Sequence, residues 1–482
     1  MTLLRNTAWG AAGSITLTLG RMAIVVILAR RLGPESFGLF VFVQWLIEMT
    51  FMVFSFGLSG VATRFFPQSV GKEAEELPGF NHWFFRAGVL AVLLTSCFAA
   101  LSAYLFSDLR NLAGVAAITF WAAATSFSAL LGARAQGLFQ YKRNAASSAI
   151  FVIAVLSGLA LLQGRDDLLE VLVVMGAANI AAGIFLAISI RSGGAISRPV
   201  ALAKMHSDQI FRYATNAWVT SIVASLVWAR GEIPMIKGYL GEGAVGYYSI
   251  GLTLSGIINQ GVGLLTGALW PQIARAWDNG NKNELAQFSS AVTNLLMLIA
   301  GLAAGFIICF APYIVTLLFG EKFLPSSNLV LILALGALGL TSGCAHLVIQ
   351  AATNGKFARD VTIAGAVFLY GAAFILIPRF GIEGAAVARS ATQIGMAVLV
   401  LVWIGKVLGH SVGTRHNLRS LMLLVMLAGS LAVLRSVGPE LHIWSLCAIF
   451  VTYCGLVWLI CLPGWKNGIL HELRKLSRFG NA

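Results

Sequence analysis

The chain has 482 residues, of which 58% are hydrophobic and only 11% are charged, with a mean hydropathy of +0.84. A typical soluble protein carries about 25% charged residues, so this composition excludes a water-soluble globular enzyme. A membrane-spanning helix needs about 20 mostly apolar residues, and the chain can hold more than ten such helices. The composition therefore predicts an all-α polytopic membrane protein. The formal net charge of +14 fits basic loops beside anionic lipid headgroups, and we expect no nucleic acid as a partner.

Apolar runs bounded by charged residues, Gly or Pro predict about fourteen transmembrane helices, which we number as spans 1 to 14 in chain order. The first run is not a cleaved signal peptide, because Arg21 lies in its middle and Arg30 and Arg31 follow directly. The spans cover 8–29, 38–61, 84–106, 111–131, 144–163, 168–190, 213–236, 244–268, 288–311, 328–352, 360–378, 383–407, 418–436 and 441–462.

The loops on the two sides of the membrane differ in charge and are short on one side. Lys and Arg are more than twice as frequent on the side that holds the N-terminus. Because basic residues favour the cytoplasmic side, we expect both termini in the cytoplasm. The outer loops are all too short to fold a catalytic domain.

The sequence contains an internal repeat. Residues 32–40 and 240–248 share the pattern Leu-Gly-x-x-x-φ-Gly-φ-φ, where φ is hydrophobic, and Phe66-Pro67-Gln68 matches Trp270-Pro271-Gln272 further along. The glycines of the repeated pattern suit a tight outer turn, where positive φ or close helix approach is needed. The repeated unit is six spans, so both copies cross the membrane in the same direction, as in transporters with parallel repeats.

The repeat predicts two six-helix lobes related by a parallel repeat, followed by two C-terminal helices. We place the N-lobe at 1–190, a basic cytoplasmic linker at 191–212, the C-lobe at 213–408, and spans 13 and 14 with a basic tail at 409–482.

Four motifs in a fixed order resemble one known family. The motifs lie at 32–40 with 56–60 and Arg64, at 269–275 with Gly280, at 312–320, and at 377–388. On these motifs the chain is similar to the polysaccharide-export branch of the multidrug/oligosaccharidyl-lipid/polysaccharide (MOP) superfamily, the Wzx-like oligosaccharide-lipid flippases.

The resemblance implies a two-lobed bundle that opens in turn to either side of the bacterial inner membrane. It implies a flippase for a polyprenyl (undecaprenyl) diphosphate-linked oligosaccharide, in O-antigen, exopolysaccharide or capsule synthesis. The expected partners are the lipid-linked oligosaccharide, membrane lipids and the polysaccharide polymerase machinery. We expect no cofactor apart from a coupling ion, H+ or Na+, and a functional monomer because one chain holds both lobes.

Charged side chains inside spans are functional candidates, because each costs at least about 2.5–3.5 kcal/mol to insert. Arg21 in span 1 and Glu48 in span 2 lie at similar depth on neighbouring helices. They either form a structural ion pair, or Arg21 binds an anionic substrate while Glu48 competes for it or carries a proton. Guanidinium suits a diphosphate because it makes bidentate contacts and keeps its charge.

In the second lobe Arg230 aligns with Arg21 through the repeat, and Glu232 follows it as a second ion-coupling candidate. In the family, arginines on the first and seventh helices face the diphosphate or acidic sugars. Snorkelling to the interface is the alternative for Arg230.

Three further residues are candidates for substrate binding. Arg389 in span 12 can bind substrate or pair with Glu383, and Arg64 can capture diphosphate at the cytoplasmic mouth or only set the topology. Asn259 in span 8 can face a cavity or form an interhelical hydrogen bond, and its neighbour Gln260 must project to a different side.

Alternatives from other classes remain open. A lipid II flippase or an ion-coupled small-molecule antiporter would share the fold, although extrusion of cations favours an acidic cavity. A membrane glycan polymerase or ligase needs a catalytic carboxylate or a large outer loop. A structural membrane scaffold would not need arginines in both lobes.

Overall fold

The computed structural model describes residues 2–69, 80–106, 109–162, 167–190, 204–228, 230–278, 280, 282–353, 356–408, 414–437 and 442–461. These residues form fifteen α-helices and three short 3-10 helices, with no strand among them. The chain divides into two compact units, Met1–Ile233 and Pro234–Ala482, which we call the N-terminal and C-terminal units.

The helices alternate with short turns along the whole described chain. In order they are α1 Thr2–Phe54, α2 Leu58–Phe65, α3 Phe80–Phe106, α4 Leu112–Gly137, α5 Tyr141–Leu161, α6 Leu168–Ser189, α7 Lys204–Trp228, α8 Ile233–Leu240, α9 Glu242–Asp278, α10 Lys282–Phe319, α11 Ser326–Ala337, α12 Gly343–Thr353, α13 Lys356–Leu408, α14 Thr414–Val437 and α15 Ile443–Cys461. The 3-10 helices are Phe66–Ser69, Glu321–Phe323 and Leu338–Ser342.

Each of the fourteen predicted spans falls on one or more of these helices. In the described residues seven helices are long and apolar enough to cross a membrane, and α7 with α8 meets the same criterion only as a pair bent by 47°. Two of the seven, α1 and α13, hold two predicted spans each. Both are 53 residues long, or about 80 Å, far more than the about 30 Å of a bilayer core. Gly33 at φ 71° and Gly381 at φ 59° interrupt their helical backbone.

The internal repeat is visible in the backbone of both units. Gly33 and Gly241, the first glycines of the two copies, adopt φ values of 71° and 85°, whereas the second glycines, Gly38 and Gly246, lie within helices without positive φ. Spans 2 and 4 run parallel in the N-terminal unit, and spans 8 and 10 run parallel in the C-terminal unit. The contacts that show this are Phe40–Trp121 and Ala62–Gly137 in one unit, and Gly251–Leu329 and Thr266–Gly343 in the other.

The last two helices pack on span 9. The Tyr453 hydroxyl of α15 donates a 3.0 Å hydrogen bond to the Gly301 carbonyl of α10, and the Phe450 ring packs on Phe306 and Phe310. The predicted all-α fold is confirmed. Most of the predicted linker, 191–203, lies outside the described residues, and the boundary between the two units falls after α7, so the placement of the lobe boundary stays a prediction.

Glycines allow α1 and α5 to approach closely. A methyl group at Gly13 would lie 2.9 Å from the Ala145 backbone, and a methyl group at Gly20 would overlap Val152 Cγ2. Helices in lipid associate through van der Waals packing at small residues, because lipid tails are as apolar as the side chains. This contact therefore holds span 1 against span 5.

We predict that Gly20→Ala destabilises the protein by about 1–3 kcal/mol, because the added methyl group overpacks the contact with a stiff β-branched side chain. The melting temperature of the detergent-purified protein should fall, and Val152→Ala in the same chain should restore part of it. Gly256→Ala is the control, since no atom lies within 4 Å of its added methyl group. Equal melting temperatures for Gly20→Ala and Gly256→Ala would contradict the prediction.

Candidate functional site

Two kinds of exposed surface occur on the membrane-crossing helices. On α3 between residues 87 and 106, and on α13 between 361 and 377, the exposed side chains carry no charge and no amide or aliphatic hydroxyl. Such a surface fits contact with lipid tails. On α7 between 208 and 221 most of the exposed side chains are polar: Asp208, Gln209, Arg212, Thr215, Asn216, Thr220 and Ser221.

The polar residues of α7 form a stripe on one side of the helix. Arg212, Asn216 and Thr220 follow one another at intervals of four residues, which places them one above the other. Exposed polar groups at membrane depth face a water-filled cavity or a polar ligand, because hydrocarbon cannot satisfy their hydrogen bonds. The helix α7 is therefore the clearest candidate for a substrate-facing surface.

Arg21 and Glu48 are also exposed, on the two halves of α1. They stand 12 and 15 residues from Gly33, or about 18 and 22 Å along their helices, which agrees with the similar depth expected from the sequence. Glu48 Oε1 accepts a 2.9 Å hydrogen bond from Gln44 Nε2. Within the part of the chain that the structure describes, no ion pair joins Arg21 to Glu48.

The second half of α1, with α2, runs antiparallel to α7. Phe65 meets the Tyr213 ring at one end, and Met52 Sδ accepts a hydrogen bond from Ser225 at the other. Glu48 lies one helical turn beyond Met52, and Arg230 lies a similar distance beyond Ser225, so both are at about the same depth. Arg230 is partly buried, in the break between α7 and α8, with φ 65°.

Arg64 lies at the other end of the contact between α2 and α7. Its guanidinium carbon stands 4.4 Å from the centre of the Tyr213 ring, and the side chain is exposed. A cation over an aromatic face contributes about 0.5–1 kcal/mol at an exposed site. The contact therefore positions the guanidinium while its hydrogen-bond donors stay accessible.

The other predicted residues lie in buried surroundings. Arg389 is 6% exposed in α13, beside Ser390, whose hydroxyl donates to the Ile332 carbonyl of α11. Glu232 is fully buried, and Asn259 is partly buried with its Oδ1 enclosed, whereas the adjacent Gln260 is exposed. Within the N-terminal unit the structure thus brings Arg64 onto Tyr213 and Glu48 onto Gln44.

Sequence reasoning missed the polar stripe of α7. The interval of four residues between Arg212, at the end of the predicted linker, and Asn216 and Thr220 in span 7 was a usable signal. Gln260, which the sequence placed on a different side from Asn259, is exposed. Among the described residues no group of three or more His, Cys, Asp or Glu could hold a metal ion.

Solved membrane transporters share this fold. They include the lipid II flippase MurJ in an inward closed conformation, at 15% identity and a TM-score of 0.64, covering 94% of this chain and 98% of MurJ. An inward-facing multidrug resistance MATE family transporter of the MOP superfamily has 14% identity and a TM-score of 0.62, with coverage of 82% and 94%. A MOP superfamily transporter from Pyrococcus furiosus has 13% identity and a TM-score of 0.59, with coverage of 85% and 95%.

These likenesses define the fold as that of the multi-pass MOP transporters. The family model described as polysaccharide biosynthesis protein matches residues 3–277, which is more than half of the chain. The chain belongs to this polysaccharide biosynthesis protein family, and the predicted resemblance is confirmed. No curated protein sequence matches the chain.

We predict that a cysteine placed at Asn216 reacts with a water-soluble maleimide at least about tenfold faster than one placed at Leu93, because the thiolate forms only in contact with water. Leu93 is the matched control, an exposed residue on the apolar surface of α3. The measurement is labelling in native membranes, after the six native cysteines have been replaced by Ala. Similar labelling rates at the two positions would show that the α7 stripe faces no water.

Proposed function

We propose that the protein is a flippase that moves a polyprenyl (undecaprenyl) diphosphate-linked oligosaccharide across the bacterial inner membrane by alternating access, for O-antigen, exopolysaccharide or capsule synthesis. The observation that carries the proposal is that polar side chains are exposed on two helices of the N-terminal unit: Arg21 on α1, and the stripe of α7. Family membership supports a role in polysaccharide synthesis. A polar path across hydrocarbon is what a sugar and a diphosphate require.

The proposed binding residues are Arg21, Arg64 and Arg230, with Arg389 and Asn259 as further candidates. Arg21 and Arg64 are exposed, and Arg230 is partly accessible, so a ligand can reach their guanidinium groups. Arginine binds phosphate by two parallel hydrogen bonds and stays protonated. Arg389 and Asn259 contribute only after a rearrangement, since Arg389 and the Asn259 oxygen are buried here.

A second candidate function is favoured by a specific likeness. The lipid II flippase MurJ shares the fold, and lipid II is also a lipid-linked diphosphate with a sugar headgroup. An ion-coupled antiporter of small molecules is the third possibility, because MATE transporters share the fold. The exposed arginines favour an anionic substrate over a cationic one.

We propose that the protein is a transporter and not an enzyme. It places the chain in the inner membrane with both termini in the cytoplasm, as a functional monomer that works beside the polysaccharide polymerase machinery. Coupling to H+ or Na+ is assigned to Glu48, which is exposed, and to Glu232, which is buried.

The test of the function uses proteoliposomes with a fluorescent undecaprenyl-diphosphate oligosaccharide, lipid II or a cationic drug, each with and without a proton or sodium gradient. Protein-dependent movement of the oligosaccharide lipid to the far leaflet is expected. Movement of lipid II alone or of the drug alone would replace the proposal by the second or third function.

We predict that Arg21→Gln lowers the rate of oligosaccharide-lipid movement at least about tenfold, because a charge-assisted contact to the diphosphate is lost. Arg21→Lys should retain part of the rate. The matched control is Arg359→Gln, since Arg359 pairs with Asp360 at 2.8 Å on an exposed site of α13. Loss of membrane abundance in Arg21→Gln would instead indicate a structural role for Arg21.

We predict that Glu48→Gln abolishes the response of transport to an imposed proton gradient but leaves downhill equilibration of the lipid, because an amide cannot exchange the proton. Transport in proteoliposomes with and without the gradient measures this. Glu35→Gln is the control, an exposed carboxylate beside the Gly33 turn. A gradient response that persists in Glu48→Gln would exclude Glu48 as the coupling residue.

A further inference from the structure

The second span is broken where α7 crosses it. Helix α1 ends at Phe54 and α2 begins at Leu58, and between them Phe56 and Gly57 adopt φ values of 46° and 72°. A methyl group at Gly57 would overlap the Ala214 carbonyl oxygen of α7, so only glycine fits at this crossing. The break frees the Val53 carbonyl, and the Trp218 indole N–H donates to it at 2.7 Å.

At this break the ring of Phe56 is exposed and the backbone of Phe56 is strained. Phe56 is a residue other than glycine in the left-handed region, where its side chain strains the backbone. Its ring is 45% exposed and lies 5.7 Å from the Trp218 ring at an angle of 39°. The backbone of Phe56 is therefore strained although its ring remains half exposed. Gly57 and Trp218 already hold the two helices together at this crossing.

The Phe54 ring packs on Phe56 at 6.5 Å between centroids, and exposed hydroxyls stand on α2 and α7, the helices that flank the ring pair. Thr63 on α2 and Thr215 on α7 are exposed, and each hydroxyl donates to a carbonyl of its own helix, Thr63 to Gly60 at 3.0 Å and Thr215 to Phe211 at 3.0 Å. Because their protons are used, these oxygens can only accept further hydrogen bonds. An exposed aromatic pair beside hydrogen-bond acceptors suits a sugar ring, whose C–H face packs on an aromatic ring while its hydroxyls donate.

A cation stands at one end of the same surface. Arg64 follows Phe56 by eight residues, or about 12 Å, and its guanidinium is held 4.4 Å from the Tyr213 ring. This separation suits a diphosphate joined to the first sugars of a chain.

We propose that Phe56 and Trp218 form a stacking platform for sugar rings of the substrate, while Arg64 on Tyr213 binds the diphosphate. The inference rests on the proposed function and deepens it, because it names the part of the protein that distinguishes a glycan-bearing lipid from the bare lipid diphosphate. The platform tolerates different sugars, since stacking uses the ring face and not a particular hydroxyl pattern.

The test is equilibrium binding of two probes to the full-length protein in detergent: undecaprenyl diphosphate, and undecaprenyl diphosphate that bears one N-acetylhexosamine. Phe56→Ala and Trp218→Ala should each weaken binding of the sugar-bearing probe about fivefold and change binding of the bare probe less than about twofold. Arg64→Gln should weaken both probes about equally. Phe56→Tyr keeps the ring and should keep the preference for the sugar.

The matched control is Phe368→Ala, which removes a ring of similar exposure, 54%, from the apolar surface of α13. It should change neither affinity, and melting temperatures show whether each variant is folded. If the unaltered protein binds both probes and Phe56→Ala weakens them equally or not at all, the platform is overturned and the proposed function stands. If the unaltered protein binds neither probe, the proposed function fails and the platform with it.

Discussion

Close packing through glycine is the constraint on which the rest of this structure depends. Helices in lipid gain little from hiding apolar side chains, so contact must come from backbones that approach closely. In the N-terminal unit a methyl group at Gly158 would lie 2.6 Å from Val174, and one at Gly176 would lie 2.5 Å from the Phe120 ring. These contacts hold the helices of the N-terminal unit together. The exposed polar surface of α1 and α7 is therefore carried on a tightly packed scaffold.

The all-α fold and the glycine turns could be predicted from the sequence because they depend on composition along the chain. Apolar runs of about 20 residues must cross the bilayer, and a glycine between two runs marks a turn, as at Gly33 and Gly241. The interruption of span 10 could not be predicted. The 3-10 segment Leu338–Ser342 lies where Gly339 packs on the Gln393 backbone of α13, a tertiary contact between residues far apart in the sequence.

The candidate site was predictable in residue type and depth but not in side-chain direction. A charge inside a span reveals itself in the sequence, so Arg21, Glu48 and Arg389 could all be named. Whether such a residue faces a neighbouring helix or an open surface depends on the rotation of its helix about the helix axis. The apolar runs of this sequence are too broad to show a stripe that would fix this rotation. Arg389 is 6% exposed, while Arg21 is exposed. The proposed platform depends on the positive φ of Phe56, which no residue pattern in the sequence predicts.

Whether Arg21 and Glu48 form an ion pair affects which class of substrate the protein can bind. A structural ion pair would bring the two side chains together and exclude a ligand, yet among the described residues no ion pair joins them and both are exposed. An uncompensated cation at membrane depth is costly, so it is retained only where an anion or water reaches it. A diphosphate would supply the missing charge during loading, and Glu48 could compete for Arg21 once the substrate has left. A cationic drug would instead meet the arginine with repulsion, which is why the anionic lipid-linked sugars fit this surface better.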